Sequence, residues 1–257
     1  MARAAGGRFL LRIEDIDQSR ARSDWEAQIH DDLSWLGLTW DTAPLRQSDR
    51  LPAYRDALAG LWRRGLIYTC TCSRRDIAEA ASAPQEGVTT IGPDGPVYPG
   101  TCRNAHDGTG ALPDLALRLN MTRALAGLRG KPLTFTETGD HSKSGLQQID
   151  LEHLVQNVGD VVLARRDMGT SYHLSVVLDD ALQGITHVTR GQDLFDATQI
   201  HVVLQQLLSL PTPVYHHHRL IRDDQGKRLA KRDDARALAT FRAEGATPED
   251  IRRMVGL

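Results

Sequence analysis

At 257 residues the chain is long enough to bury a full core, and 40% hydrophobic with 25% charged residues is the balance of a globular domain. No run approaches the ~20 apolar residues of a membrane span. The opening MARAAGGRFLLR lacks the apolar core of a signal peptide, so the expectation is a cytoplasmic protein without a membrane partner. A net charge of −2 excludes nucleic-acid binding by bulk basicity and leaves it to a local basic face.

RFLLRI, residues 8–13, is an apolar run followed at once by Glu14, Asp15 and Asp17, the pattern of a buried parallel strand with carboxylates at its carboxyl end. Residues 19–37 predict a helix opened by Ser19 or Ser23, with Trp25, Ile29, Leu33 and Leu36 along one apolar face. Pro52 fits the first turn of the next helix, whose apolar side is Tyr54, Leu58, Leu61 and Trp62 and whose end is marked by Gly65. Residues 82–113 are rich in Pro and Gly and need some outside constraint to be ordered. From 113 to 159 short apolar and polar runs alternate, as in the strands of a small inserted subdomain. Strand texture resumes at Val161–Asp167, a helix follows over 174–182, a strand over 185–191 and a helix over 196–209 with Ile200, Val203, Leu204 and Leu207 on one side. Thr247-Pro-Glu-Asp starts a last helix. Strand–helix alternation on both sides of the Pro/Gly block predicts an α/β sheet interrupted by an insertion.

The three cysteines, Cys70, Cys72 and Cys102, are an odd number at tight spacing, which favours a reducing compartment and a metal over disulfides. His216, His217 and His218 are poor joint ligands, because consecutive strand residues point to opposite faces.

Three segments in this order, RFLLRIEDID (8–17), SYHLSVVLDDALQGITHVTRGQDL (171–194) and KRLAKRDD (227–234), resemble the catalytic domain of the glutamyl-tRNA synthetase family, class I aminoacyl-tRNA synthetases. The likeness runs from Arg8 to about residue 240. It implies a Rossmann-like parallel sheet lacking its first strand, with an inserted zinc-containing α+β subdomain. The division is then 1–66 and 161–257 for the catalytic body and 67–160 for the insert. The resemblance assigns Glu14 to the amino group of glutamate, and Tyr172 and Arg190 to the amino-acid pocket, where a planar guanidinium suits a side-chain carboxylate. Asp193 is a weaker candidate for orienting Arg190 or the ribose. Lys227 and Lys231 stand at the family's second signature loop, with Lys231 toward the phosphates of ATP and its Mg²⁺. Ala230 and Arg228 depart from the family's usual serine and apolar residue, which touches the loop's positioning and not its charge.

C-x-C followed by Y-x-x-x-C, that is Cys70, Cys72, Tyr98 and Cys102, resembles the zinc site of the glutamyl-queuosine tRNA(Asp) synthetases, a short paralogue of that family. His106 is the chemically more orthodox fourth ligand, and Tyr98 and His106 both stay open. Only about twenty-six residues follow Lys231, too few for the family's helical anticodon-binding domain. The implied activity is transfer of ATP-activated glutamate to queuosine in the anticodon stem-loop of tRNA(Asp), by a monomer. A truncated glutamyl-tRNA synthetase and an inactive zinc- or RNA-binding relative are the alternatives. The family's Pro-Ser-Pro-Thr-Gly-like turn and His-x-Gly-His-like motif belong ahead of Arg8 and are not in this chain. A misplaced start, a truncation and lost activity are the readings open for that, with weak ATP binding and an exposed sheet side expected of this form.

Overall fold

Helix Leu51–Arg63 carries Pro52 in its first turn and buries Tyr54, Leu58, Leu61 and Trp62, the face that 3.6-residue spacing predicts. Gly65, at φ +65°, follows the last helical turn; its N–H reaches the Trp62 carbonyl and that of Leu66 the Leu61 carbonyl. This left-handed exit is one glycine enters without strain. The computed structural model describes residues 1–81, 91–104, 110–130, 132–222, 226 and 237–257. They divide into two compact units, 1–48 with 220–257, and 49–219.

In the larger unit, strand Ile67–Thr69 is buried throughout and pairs antiparallel with Leu117–Leu119, which pairs antiparallel with Val162–Ala164. A second sheet runs in the order His187–Gly191, Val214–His218, Thr134–Glu137, Gly145–Gln148. Its first two couplings are parallel and the last antiparallel. Parallel neighbours need a crossover, and helix Thr198–Leu207 supplies it between His187–Gly191 and Val214–His218. The connection 138–144 is too short for one, so Gly145–Gln148 returns antiparallel. The fold is mixed α/β: the longer parallel pairing lies between His187–Gly191 and Val214–His218, and the antiparallel pairing of Thr134–Glu137 with Gly145–Gln148 falls within residues 67–160, where an α+β insert is expected. Helix Thr198–Leu207 buries Ile200, Val203, Leu204 and Leu207 as predicted, and packs with helix Tyr172–Leu182. In the Pro/Gly block a two-stranded hairpin, Ile91–Gly92 with Gly95–Pro96, is the regular structure among the described residues.

In the smaller unit the run 8–13 yields only a short strand, Arg12–Ile13, parallel to Leu45–Arg46. Helix Ser23–Trp35 lies between them in the chain. Its N-cap is Arg22 without a side-chain cap, and the Ser19 hydroxyl is spent on Asp17. The predicted apolar face is a correction: Trp25 is 48% and Ile29 41% exposed, and the helix buries no residue. Instead, its C-terminal half meets the two last helices, Leu238–Ala243 and Pro248–Val255, through polar contacts. Arg242 pairs with Asp31 and stacks on Trp35, and Arg252 Nη2 donates to the Leu36 carbonyl at 2.7 Å. Thr247 and Asp250 form the capping box of the last helix.

Candidate functional site

Arg190 stands near the end of strand His187–Gly191, beside Val214–His218 in register with His217. Its guanidinium is held from three sides. Nε donates to His217 Nε2 at 3.0 Å, Nη1 meets His201 Nδ1 at 3.0 Å, and Nη2 donates to the Leu194 carbonyl at 3.2 Å and to Thr198 Oγ1 at 2.6 Å. The Tyr215 ring lies 5.1 Å beneath it. Arginine carries five N–H donors. These four bonds therefore leave one, on Nη1, without a partner among the described residues.

Both histidines must accept from Arg190, and their far nitrogens then donate onward. His217 Nδ1 bonds the Glu137 carboxylate, which also accepts the backbone N–H of His217 at 3.0 Å and of Gly139 at 2.6 Å. Glu137 is inward because alternation along Thr134–Glu137 puts it on the face of Phe135. Position 139 tolerates only glycine: a Cβ there would stand 2.3 Å from the His217 carbonyl oxygen and 2.8 Å from Glu137 Oε1. On the other side His201 Nε2 bonds His173 Nδ1 at 3.0 Å, and His173 Nε2 lies 3.4 Å from Asp94. Tyr172, at the start of its helix, packs its ring 5.8 Å from that of His201.

Burial, then the charge of Arg190, drives the His201 pKa well below the usual imidazole value. Burial also lowers that of His217, against the opposing pull of Glu137. Burial by itself raises Glu137, but its bonds from His217 and Gly139 hold it below the ordinary glutamate value.

The second cluster sits where the chain leaves strand Ile67–Thr69. The sulfurs of Cys70, Cys72 and Cys102 all lie within 4.8 Å of one another. Cys72 and Cys102 sulfurs are 3.5 Å apart. The Tyr98 hydroxyl is 3.5 Å from Cys70 Sγ, 3.4 Å from Cys72 Sγ and 2.9 Å from the Cys102 backbone nitrogen. Zinc–sulfur bonds of about 2.3 Å at tetrahedral angles require sulfurs about 3.8 Å apart, so the set fits a tetrahedron with Tyr98 at the fourth corner. Burial raises the Cys102 thiol, yet hydrogen bonds from Tyr98, the Thr71 backbone and the other two thiols bring it down to about 7. The Tyr98 phenol is pushed far up, first by burial and then by its bonds to the thiols. Arg118 stacks 4.0 Å over the Tyr98 ring. A cavity of about 430 Å³ opens beside these groups, and Asp94, the end of the histidine chain, is in its wall.

Among the described residues this is the one grouping with metal-ligand geometry. The three adjacent histidines disperse as alternation requires: His217 inward, His216 to Thr138 Oγ1 at 3.2 Å, and His218 to the Arg219 carbonyl at 2.8 Å. Glu14 belongs to the smaller unit, where Arg12 bonds it at 3.3 Å. Asp193 is exposed in the short turn Gln192–Leu194. Lys227, Lys231 and His106 lie outside the described residues.

Sequence reasoning missed Glu137, His173, His201 and Thr198. For Glu137 a signal existed, a carboxylate in phase with Phe135 on a strand. For His201 there was also one: with Gln205 it continues the buried face of its helix at a spacing of four.

Comparison with known proteins matches residues 1–107 and 145–257 to the family described as tRNA synthetases class I (E and Q), catalytic domain. A protein of Rhodobacter capsulatus named "Glutamyl-Q tRNA(Asp) synthetase" is 67% identical, covering 100% of this chain and 91% of its own length. A protein of the same name from Symbiobacterium thermophilum is 41% identical over 97% of this chain and 76% of its own. Among solved structures, a glutamate tRNA ligase of Elizabethkingia meningosepticum in complex with its amino acid superimposes with a TM-score of 0.71. At 24% identity that likeness speaks for the fold; it covers 98% of this chain, which spans only 54% of that ligase.

Proposed function

The chain belongs to the class I glutamyl and glutaminyl tRNA synthetase catalytic family, among the glutamyl-Q tRNA(Asp) synthetases, and from that premise we propose that it activates glutamate with ATP and esterifies queuosine in tRNA(Asp). The full-length 67% identity carries this reading. In the first step the glutamate α-carboxylate attacks the α-phosphorus of ATP; glutamyl-adenylate forms and pyrophosphate leaves. In the second, a hydroxyl of the queuosine base attacks the acyl carbon, the ester forms and AMP departs. Both nucleophiles come from the substrates, so the chain's task is to bind and to place charge.

Glu14 takes the α-ammonium. Arg190 takes the side-chain carboxylate through its remaining Nη1–H and its charge, with Tyr172 beside it. Lys227 and Lys231 neutralise phosphate charge together with the Mg²⁺ that accompanies ATP. Zinc on Cys70, Cys72, Cys102 and Tyr98 is structural, and it pins the Pro/Gly-rich part of a 67–160 insert in a catalytic body made of 1–66 and 161–257. A monomer working in the cytoplasm completes the reading; no described helix is long and apolar enough to cross a membrane.

The deciding experiment offers labelled glutamate and ATP with either queuosine-containing tRNA(Asp) or tRNA(Glu). Label on the former alone is expected. Label on tRNA(Glu) alone makes the chain a shortened glutamyl-tRNA synthetase, and label on neither, with no glutamate-dependent pyrophosphate exchange, makes it an inactive relative.

A further inference from the structure

Arg190 is surrounded by acceptors that carry no charge. Two imidazole nitrogens, a carbonyl and a hydroxyl take four of its N–H groups, and among the described residues no carboxylate lies within ion-pair distance of it. The carboxylates come one layer further out: Glu137 behind His217, and Asp94 behind His173 and His201. A carboxylate directly against the guanidinium would satisfy it equally well but would cancel its charge and occupy its fork. A neutral imidazole satisfies the N–H and leaves the charge standing, while the outer carboxylate fixes which ring nitrogen bears the proton.

We infer that His217 and His201 are positioning residues that act through Arg190: as uncharged acceptors they orient its guanidinium and keep its positive charge uncompensated for an anionic substrate group. Glu137 and the His173–Asp94 pair are the groups that hold the two rings in accepting tautomers. This deepens the reading of Arg190 as the glutamate-carboxylate residue and rests on it.

The arrangement works only while both rings are neutral. The groups that face them are Arg190, Glu137 and His141 around His217, and Arg190, His173 and Tyr172 around His201, with Tyr215 under the guanidinium. A proton added to either ring places a second cation against Arg190 and removes an acceptor.

The test combines nitrogen-15 NMR of the histidine rings with calorimetric titration of glutamate into the full chain and its variants. Near neutral pH, His217 is expected to be protonated at Nδ1 only and His201 at Nε2 only. His217→Leu should weaken glutamate at least about tenfold, the scale of one lost hydrogen bond to a charged group. His217→Gln, whose side-chain oxygen can take the same Nε–H, should stay within about threefold of the parent. A doubly protonated ring at neutral pH, the opposite tautomers, or a folded His217→Leu that binds glutamate as the parent does would overturn the inference. If His217→Leu does not fold, the tautomers and the Gln variant decide. The underlying reading fails separately: Arg190→Ala binding glutamate as well as the parent, or a parent that binds none, removes the carboxylate role from Arg190, while the ring tautomers still report on the clamp.

Discussion

The thiol cluster and the Arg190 cluster lie in the same unit and are built in opposite ways. Around Arg190 the fold supplies neutral acceptors from its own side chains: donors and acceptors alternate from Glu137 to Asp94, and among the described residues the guanidinium keeps its charge and one open N–H. Around Cys70, Cys72 and Cys102 the chain brings together three sulfurs and a phenol, four groups that are all acceptors once ionised, supported by a small apolar patch of Tyr68, Tyr98 and Ile77. The first cluster is held in shape by its own hydrogen bonds, and the second has the donor set that a cation would complete. A self-satisfied network should therefore fail in proportion to each bond removed, and a cation-completed one should fail all at once when the cation is lost.

The largest effect is expected at the thiols. Cys102→Ser should lose stoichiometric zinc by elemental analysis and lower the melting temperature by about 10 °C or more, the equivalent of several kcal/mol in a chain of this size. A chelator acting on the parent should reproduce the drop, and a parent that melts unchanged in chelator would erase the contrast between the clusters.

Next in size is Glu137. Removing the Glu137 carboxylate leaves the His217 ring N–H and two backbone N–H groups unpaired, at about 1–3 kcal/mol each, so Glu137→Ala should lower the unfolding free energy from urea titration by about 3 kcal/mol or more. Gly139→Ala should approach it, because the added Cβ would strike backbone at the His217 carbonyl and displace the N–H that Glu137 accepts. Neither should release zinc, and metal loss in either would show that the two clusters are one cooperative structure.

Tyr98→Phe sharpens the cation side of the comparison. It should reduce zinc retention against a competing chelator by at least about tenfold while His106→Ala leaves retention intact; the reverse pair of outcomes moves the fourth ligand to His106.

The acid side follows from the histidines. An imidazole whose pKa is depressed by folding contributes stability that is present above its unfolded value, near 6.5, and is lost as pH falls through its lower folded value. Each of His201 and His217 should therefore remove up to about 1.4 kcal/mol per pH unit below that value, and urea midpoints measured from pH 7.5 downward should show a slope that His217→Gln lessens.

The smallest expected change lies in the other unit. Thr247→Ala removes an exposed capping box and should cost about 1 kcal/mol, with zinc content and histidine tautomers unmoved.

Much of this was legible in the residues. The buried face of Leu51–Arg63, the left-handed glycine behind it, the crossover helix 198–207 and the dispersal of three adjacent histidines all follow from periodicity and local chemistry. Trp25 and Ile29 show the limit: helical spacing marked them as a face, but spacing says nothing about whether another surface exists to cover it.

By itself the sequence determined the order of elements and the three thiols as candidate ligands, because these depend on interactions within a few residues, while Tyr98 and Arg190 are marked out by the likeness of their motifs to the family. Tertiary structure alone decided that Gly145–Gln148 runs antiparallel, that Glu137 stands behind His217 across 80 positions of chain, and that Arg190 keeps four neutral acceptors and one open N–H. Those depend on which strands become neighbours, a choice made by the packing of the whole unit and carried by no single segment.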